Sequence, residues 1–224
     1  MSQNFGLYGE LSVVENVRFY ASLYGIKDED AIQQLLQTYQ IDQFKAYKAG
    51  KLSGGYKRRL SLVCALVHNP DVIFLDEPTA GIDLVTRKEL WDLFFKLSAE
   101  GKTLFVTTHY MEEAERCNRI AFLNHGKLVT VGNPQRVKNA LSDVISYAYY
   151  GDFELEMIDV LKKSKGIVLV NQFGKTVNIL IDKQLDKIAL QALIKPFIKQ
   201  EPALVQREIN LEDVFIVMTQ DETR

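Results

Sequence analysis

The sequence predicts an α/β protein of two domains: a larger one with a mostly parallel sheet and a helical subdomain, and a smaller α+β domain. In the first part, apolar segments such as Val72 to Leu75 alternate with amphipathic helical patterns, which is typical of parallel strands buried on both faces. From about Ser142 the predicted order becomes strand, helix, strand, strand, helix, strand, the split arrangement of ferredoxin-like domains. We therefore place the domains at residues 1–141 and 142–224.

Helices and strands of the first domain follow from apolar periodicity and from signals at their ends. Gly25 is a typical stop for the first helix, and Pro70 ends the third because the residue before a proline is disfavoured in the α region. The helical subdomain covers about residues 7–70, and the segment that carries the chemical motifs covers about 71–140. The predicted helices are 12–24, 28–39, 53–69, 84–99 and 111–117, and the predicted strands are 72–75, 103–107, 119–123 and 127–131.

The second domain is predicted from the same patterns. Two apolar segments on either side of residues 171–174 predict a hairpin, and a strongly striped helix follows it. No residue cluster in this half suggests catalysis, so we expect a structural or dimer-supporting role. The predicted strands are 144–149, 167–170, 177–181 and 204–209, and the predicted helices are 154–163, 185–198 and 211–218.

Composition and charge exclude several classes of protein. With 47% hydrophobic and 25% charged residues, the 224-residue chain is an ordinary globular protein, and its net charge of −2 predicts no nucleic-acid partner. Cys64 and Cys117 have no partner spacing and are interpreted as reduced cysteines of a cytosolic protein. No apolar run approaches a membrane span and no signal peptide is recognisable, so we expect a chain that does not cross a bilayer.

Two adjacent carboxylates, Asp76 and Glu77, directly follow the apolar strand. Ligands of open α/β sheets bind at the carboxyl ends of the strands, where this pair is placed. Paired carboxylates are costly there unless a cation or a reacting water uses them, and Mg²⁺ is usually held by few carboxylates together with phosphate oxygens. The alternative is a strand that ends in a solvated acidic turn.

The segment Ser53-Gly54-Gly55 opens the third helix. Serine suits the N-cap, the glycines let backbone N–H groups approach an anion, and a helix N-terminus favours negative charge. The alternative is a plain capped helix after a glycine turn. His109 follows a strand and is placed to hydrogen-bond a phosphate oxygen and to orient Glu77. The two other histidines, His68 and His125, are interpreted as structural.

Four short segments occur in a fixed order between residues 52 and 109. Together they resemble the signature loop, the Walker B strand, the D-loop and the switch histidine of the ATP-binding-cassette (ABC) ATPases. Ala80 and Tyr56 depart from the usual serine and glutamine, which affects the fine tuning of nucleotide contacts. In order, the segments are Leu52-Ser53-Gly54-Gly55, Val72 to Glu77, Ala80 to Asp83 and Thr107-Thr108-His109.

The resemblance implies a role for each motif. Asp76 helps to hold Mg²⁺ through water, and Glu77, with His109, acts catalytically by polarising the water that attacks the γ-phosphate. Asp83 faces a partner subunit. The signature loop caps the γ-phosphate bound by that opposite subunit, so the active site forms only in a dimer. The residues of this loop are Leu52, Ser53, Gly54 and Gly55.

Near the N-terminus, Gln3 resembles the Q-loop glutamine, which contacts Mg²⁺ in relatives. The phosphate-binding loop Gly-x-x-x-x-Gly-Lys-Ser/Thr precedes that glutamine in the family and is not found in this chain. Gly101-Lys102-Thr103 and Gly174-Lys175-Thr176 lack the first glycine and lie in the wrong structural context. The resemblance therefore covers residues 1 to about 140, and we expect an N-terminally incomplete cassette without Walker A.

Loss of the phosphate loop has two expected consequences. Most of the ATP affinity should be lost, because backbone donors and a lysine supply most phosphate contacts in this class. Apolar strand faces and edges should be exposed, so we expect the isolated chain to be poorly soluble or to pair through that edge. A monomeric protein that binds ATP at micromolar affinity would contradict both.

The resemblance favours the ATP-binding subunit of an ABC exporter, with ATP and Mg²⁺ as cofactors. Its expected partners are transmembrane permease subunits and a second ATP-binding cassette, and its expected location is cytoplasmic, peripheral on the inner face of the plasma membrane. One alternative is a non-catalytic partner or truncated remnant unable to bind ATP on its own. Another is an ABC protein of translation or DNA repair, but the tandem cassettes or coiled-coil insertions typical of that class are absent from this sequence.

Overall fold

A computed structural model describes residues 1, 6–199 and 203–220. The chain divides into two compact units, residues 1–109 and 110–224, and each contains both helices and strands. The sequence pattern instead places a boundary between residues 141 and 142, which falls within the second unit.

The first unit begins with two capped helices. Helix α1 (Val13–Leu23) starts with a reciprocal capping box between Ser12 and Glu15. Helix α2 (Glu29–Thr38) is capped by the carboxylate of Asp28, which accepts a hydrogen bond from the Ala31 amide. Two short 3-10 turns, Asp42–Phe44 and Ala49–Lys51, then lead toward the next helix.

The remainder of this unit is helix α3 (Gly54–Leu66), strand β1 (Val72–Asp76), helix α4 (Leu84–Ala99) and strand β2 (Thr103–Thr107). Helix α3 ends three residues before the predicted Asn69, because Asn69 has a positive φ of 49° and its amide bonds back to the Leu66 carbonyl. Strands β1 and β2 pair in parallel, with Val72 opposite Thr103 and Asp76 opposite Thr107.

Burial along strand β1 alternates. Ile73 and Leu75 are buried, whereas Phe74 is 65% exposed, so the expected burial on both faces is wrong for this strand in the described part of the chain. Phe105, the register partner of Phe74, is 59% exposed, and the two ring centroids are 5.6 Å apart. The expected poor solubility or edge pairing of the chain would depend on this exposed apolar face. That expectation stays a prediction.

The second unit begins with a short helix and a hairpin. Helix α5 covers Met111–Ala114, where the sequence predicts a helix as far as residue 117. Strands β3 (Ile120–Asn124) and β4 (Lys127–Gly132) pair in an antiparallel hairpin, and helix α6 (Pro134–Lys138) follows it. Asn133 caps α6, whose first residue is a proline, as expected for a helix start.

A four-stranded antiparallel sheet forms the rest of the second unit, with the strand order β6-β7-β5-β8. The β6–β7 turn lies at Gly174 and Lys175 rather than at 171–174, because Phe173 pairs with Thr176. Helix α8 ends at Ile194 rather than 198, since Pro196 forms a 3-10 turn there. The strands are β5 (Val144–Tyr150), β6 (Ile167–Phe173), β7 (Thr176–Asp182) and β8 (Leu204–Arg207), and the helices are α7 (Glu156–Lys163) and α8 (Lys187–Ile194).

One sheet face packs against α7 and α8, through a cluster that includes Tyr147, Met157 and Leu190. The last helix, α9 (Leu211–Gln220), packs instead with the β3–β4 hairpin and α6, in a core that joins Phe122, Val137 and Val214. This contact between the end of the chain and residues 120–137 explains why a boundary at 141/142 does not separate the compact units.

Among the described residues, no helix is both long enough and apolar enough to cross a membrane.

Candidate functional site

The carboxyl ends of β1 and β2 bring the sequence-predicted residues of the first unit together. Because the two strands are parallel and Asp76 is in register with Thr107, both strands end at the same edge. Glu77 follows the first strand, and His109 follows the second by two residues. Polar side chains from two distant parts of the sequence therefore meet at one position.

The neighbouring strand holds the Asp76 carboxylate and the Glu77 backbone. The Thr107 hydroxyl donates to Oδ1 of Asp76 at 2.6 Å, and the Glu77 amide donates both to the Thr107 hydroxyl (3.1 Å) and to the Thr107 carbonyl (3.2 Å). Glu77 has a positive φ of 45°, a conformation that costs a non-glycine residue about 1–2 kcal/mol. The motifs do not predict a role for Thr107. That role follows from the parallel register of β1 and β2, which the spacing of the motifs does not reveal.

The Glu77 side chain contacts His109, the predicted switch histidine, directly. Nδ1 of His109 lies 2.9 Å from Oε1 of Glu77, while the imidazole as a whole is 62% exposed. Oε2 of Glu77 is buried and has no hydrogen-bond partner among the described residues. Glu77 therefore has one oxygen fixed by histidine and a second, buried oxygen whose hydrogen-bonding capacity the described residues do not use.

The carboxylates fit a magnesium ion that takes its remaining ligands from phosphate and water. Within residues 6–199 and 203–220, no group of three or more His, Cys, Asp or Glu side chains is gathered to hold a metal ion. Mg²⁺ does not need such a group, because it is commonly bound by one or two carboxylates plus substrate phosphates. Asp76 is therefore a suitable single protein ligand. Gln3, the second predicted metal residue, lies outside the described residues.

The signature loop forms the N-terminus of α3. Ser53 is exposed and caps the helix, its hydroxyl accepting from the Tyr56 amide at 3.5 Å, whereas Leu52 is buried beneath it. A Cβ built on Gly54 would have no atom nearer than 3.8 Å, but one on Gly55 would lie 2.5 Å from Cγ2 of Thr86. Gly55 is therefore required by close packing against α4, a reason that the sequence pattern does not reveal.

Replacing Gly55 with alanine is expected to destabilise the first unit by about 1–2 kcal/mol through this overlap. The Thr86 hydroxyl donates to Asp83, so the threonine cannot turn away without losing that bond. Urea denaturation followed by fluorescence reports on this unit, because the single tryptophan, Trp91, is buried in α4. Gly54→Ala is the matched control and should change stability little. Adding Thr86→Ser, which removes only the methyl, should restore the stability that Gly55→Ala loses. Equal losses of stability in Gly55→Ala and Gly54→Ala would contradict the steric explanation.

Asp83, predicted to face a partner, is the N-cap of α4. Its carboxylate accepts from the amides of Val85 and Thr86, both at 3.0 Å, and from the Thr86 hydroxyl at 2.7 Å. The hydrogen bonds from Thr86 are the main cause that lowers the pKa of Asp83 below its ordinary value of 3.8. No atom of a partner subunit is needed to explain its position.

The lowered pKa of Asp83 predicts a contribution to the stability of the fold that depends on pH. A carboxyl whose folded-state pKa is depressed stabilises the fold at neutral pH, and this stabilisation is lost as the pH falls below 3.8 through the folded-state value. Asp83→Asn keeps a capping side chain but does not titrate. We expect wild type to be more stable than this variant at neutral pH and the difference to vanish in acid, measured by Trp91 fluorescence. A difference that stays constant with pH would contradict this assignment.

Arg58 is a second site residue that the motifs do not predict. It is buried on α3, and its Nη2 donates to the Ala80 carbonyl at 3.2 Å. Burial lowers the pKa of Arg58, while the negative charges of Asp76 and Glu77 act in the opposite sense. The guanidinium thus joins the signature helix to the D-loop and places a positive charge near the acid pair.

The other two histidines belong to other elements of the chain. His68 stacks on Tyr24, with ring centroids 3.8 Å apart, and His125 occupies the β3–β4 turn with a positive φ of 45°. Both positions have a local structural explanation.

Known proteins resemble this chain in sequence and in fold. Residues 1–80 match the family model described as "ABC transporter". The "Probable multidrug ABC transporter ATP-binding protein YbhF" of Escherichia coli (strain K12) is 40% identical over 141 residues, which are 62% of this chain and 24% of that protein. The "Nod factor export ATP-binding protein I" of Burkholderia thailandensis is 33% identical over 214 residues, 94% of this chain and 68% of that protein.

The counterpart of the same name from Sinorhizobium fredii is 32% identical, over 96% of this chain and 62% of its own length. A solved chain described as "Structure of ATP binding subunit of ABC transporter" superposes with a TM-score of 0.53 at 25% identity, covering 61% of this chain and 58% of its own. The chain thus spans about a quarter to two thirds of the length of these relatives. Its extended similarity to proteins of one kind shows that the chain belongs to the ATP-binding proteins of the ABC transporter family.

Proposed function

We propose that this chain is the ATP-binding subunit of an ABC exporter, which couples ATP binding and hydrolysis in a cassette dimer to transport by a separate permease. The observation that carries the proposal is the contact between Glu77 and His109 beside Asp76, at the carboxyl ends of two parallel strands. The export function is supported by the names of the relatives, one for Nod factor export and one for multidrug transport.

In the proposed mechanism, each residue has one task. His109 holds Oε1 of Glu77 and so orients the carboxylate that accepts a hydrogen bond from the attacking water. Asp76 would hold Mg²⁺, which would supply neutralisation of charge on the phosphates. The exposed N-terminus of α3, with Ser53 and its two glycines, offers backbone N–H groups to the γ-phosphate held by a second cassette.

The phosphate cradle is the part that these 224 residues do not supply, since no Gly-x-x-x-x-Gly-Lys-Ser/Thr segment occurs in them. We infer that the cradle for this acid pair comes from a polypeptide segment other than residues 1–224. The second candidate function follows from the same observation. A non-catalytic partner would present its exposed Ser53 loop to another subunit's ATP and hydrolyse nothing itself.

We further propose that strands β5 to β8 with helices α7 and α8, within the predicted domain of residues 142–224, form a ferredoxin-like accessory unit with a structural or dimer-supporting role. The support is the order of its elements, with strands β6-β7-β5-β8 all antiparallel and helices α7 and α8 in the two crossovers. The proposed location is the cytoplasmic face of the plasma membrane, where a permease subunit would bind the cassette.

Two variants separate the two candidate functions when ATP hydrolysis is measured on the native complex, isolated through a tag on this chain. Gly54→Asp places a carboxylate at the start of α3, where it favours the helix but repels a phosphate. Glu77→Gln removes the base. An ATPase subunit predicts that both variants lose activity, whereas a non-catalytic partner predicts that only Gly54→Asp does. If neither variant lowers hydrolysis, both candidate functions are wrong.

A further inference from the structure

The hydroxyl of Thr107 bridges the Asp76 carboxylate and the Glu77 backbone amide. It donates its single proton to Asp76 at 2.6 Å and accepts from the Glu77 amide at 3.1 Å. The first distance is short, as is typical of a hydrogen bond to an ionised carboxylate. One side chain on β2 thus contacts Asp76, the last residue of β1, and Glu77, which follows it, although none of the four motif roles includes Thr107.

The position of this hydroxyl is fixed by its surroundings. The parallel register places Thr107 opposite Asp76, and a β-branched threonine has few χ1 rotamers in a strand. A hydroxyl with its proton directed to Asp76 must use a lone pair toward Glu77, so the two contacts determine each other. The bond therefore selects one orientation of the Asp76 carboxylate.

The second contact bears on the backbone of Glu77. With φ at 45°, this residue is in the left-handed region, which a glutamate adopts only where neighbouring groups hold it there. Its amide is shared between the Thr107 hydroxyl and the Thr107 carbonyl. The direction of the Glu77 side chain toward His109 follows from this backbone conformation.

We propose that Thr107 is a positioning residue for the acid pair: its hydroxyl fixes the Asp76 carboxylate and the Glu77 backbone, so that both acids meet bound MgATP in one arrangement. The catalytic consequence of this role rests on the proposed function. The structural part of the role stands on the contacts of Thr107 alone.

The test compares Thr107→Val, which keeps the shape and removes the hydroxyl, with Thr107→Ser, which keeps the hydroxyl. Thr103→Val is the matched control, because Thr103 lies on the same face at the opposite end of β2 and is also exposed. The first measurement needs no nucleotide: hydrogen exchange of the Glu77 amide in the full chain by NMR. We expect exchange to be about 5-fold faster or more in Thr107→Val and unchanged in the other two.

The second measurement is ATP hydrolysis by the native complex. We expect Thr107→Val to lower kcat about 10-fold with KM for MgATP changed less than about 2-fold, and Thr107→Ser to recover most of kcat. The Trp91 unfolding midpoint should be equal in all variants, which separates positioning from a loss of folding. Unaltered exchange in Thr107→Val, or altered exchange with unaltered kcat, would overturn the proposal. If the wild-type complex does not hydrolyse ATP, the proposed function fails, and amide exchange still decides whether Thr107 holds the pair.

Discussion

Replacing Glu77 with glutamine is expected to lower ATP hydrolysis by the native complex on the order of 100-fold or more. An amide of nearly the same shape still contacts His109, but it is a far weaker acceptor for the proton of an attacking water. Because the geometry is retained, the ground-state complex should form normally. We therefore expect kcat to fall while KM for ATP changes less than about 2-fold.

The assay measures phosphate release from MgATP at several ATP concentrations for the wild type and for Glu77→Gln. Glu112→Gln is the control for losing one carboxylate near the switch histidine, since Glu112 is exposed and lies three residues after His109 in the sequence. We expect this control to be as active as the wild type. Hydrolysis that is unaffected by Glu77→Gln would remove Glu77 from the mechanism and favour the non-catalytic partner.

The residues of the acid pair could be predicted because their signal is local. Asp76 and Glu77 follow an apolar strand, and His109 follows another, so the rule that ligands bind at the carboxyl ends of parallel strands is enough to bring them together. Thr107 could not be assigned a role in this way. Its contact depends on which residue of β2 is opposite Asp76, and strand register is set by tertiary packing rather than by motif spacing.

The glycines of the signature loop show a different limit of sequence reasoning. Both were expected to allow an anion to approach the backbone, yet Gly55 is also constrained by Thr86, which lies 31 positions away along the chain. Steric requirements of this kind arise from the crossing of α3 and α4, and no local pattern encodes them. A Cβ on Gly54 would have no neighbour this close, so approach of an anion to the backbone remains the expected reason for this glycine.

Helices and strands could be predicted from the sequence more reliably than the contacts that each of them makes. The apolar run of β1 indicates a strand, but burial of its second face depends on what packs there, and Phe74 is exposed in the described structure. Likewise, the sequence predicts the final helix at 211–218, whereas its packing with the β3–β4 hairpin is a contact between residues about 90 positions apart. Such long-range contacts decide where the chain divides into compact units.

Asn16 provides a second test with a large expected effect, because it is a fully buried polar residue on α1. Its Oδ1 accepts from the Tyr8 amide at 2.9 Å, and its Nδ2 donates to the carbonyls of Tyr8 (3.0 Å), Leu11 (3.3 Å) and Ser12 (2.9 Å). One side chain therefore fixes the whole segment from Tyr8 to Ser12 against the helix. This segment follows the predicted Gln3 region, so its order bears on the function as well as on the fold.

Replacing Asn16 with alanine is expected to destabilise the first unit by about 3 kcal/mol, since four hydrogen bonds of a buried side chain are lost and a small cavity remains. Asn16→Asp should be at least as damaging, because a carboxylate would face carbonyl oxygens that now receive N–H donors. Urea denaturation with Trp91 fluorescence measures both, and Gln34→Ala, an exposed amide on α2, is the control with an expected change within about 0.5 kcal/mol. An Asn16→Ala variant no less stable than Gln34→Ala would mean that the four hydrogen bonds add no more stability than hydration of the same groups. The segment from Tyr8 to Ser12 would then have to be held by its backbone contacts. One such contact is the hydrogen bond from the Ala49 amide to the Leu11 carbonyl, at 2.8 Å.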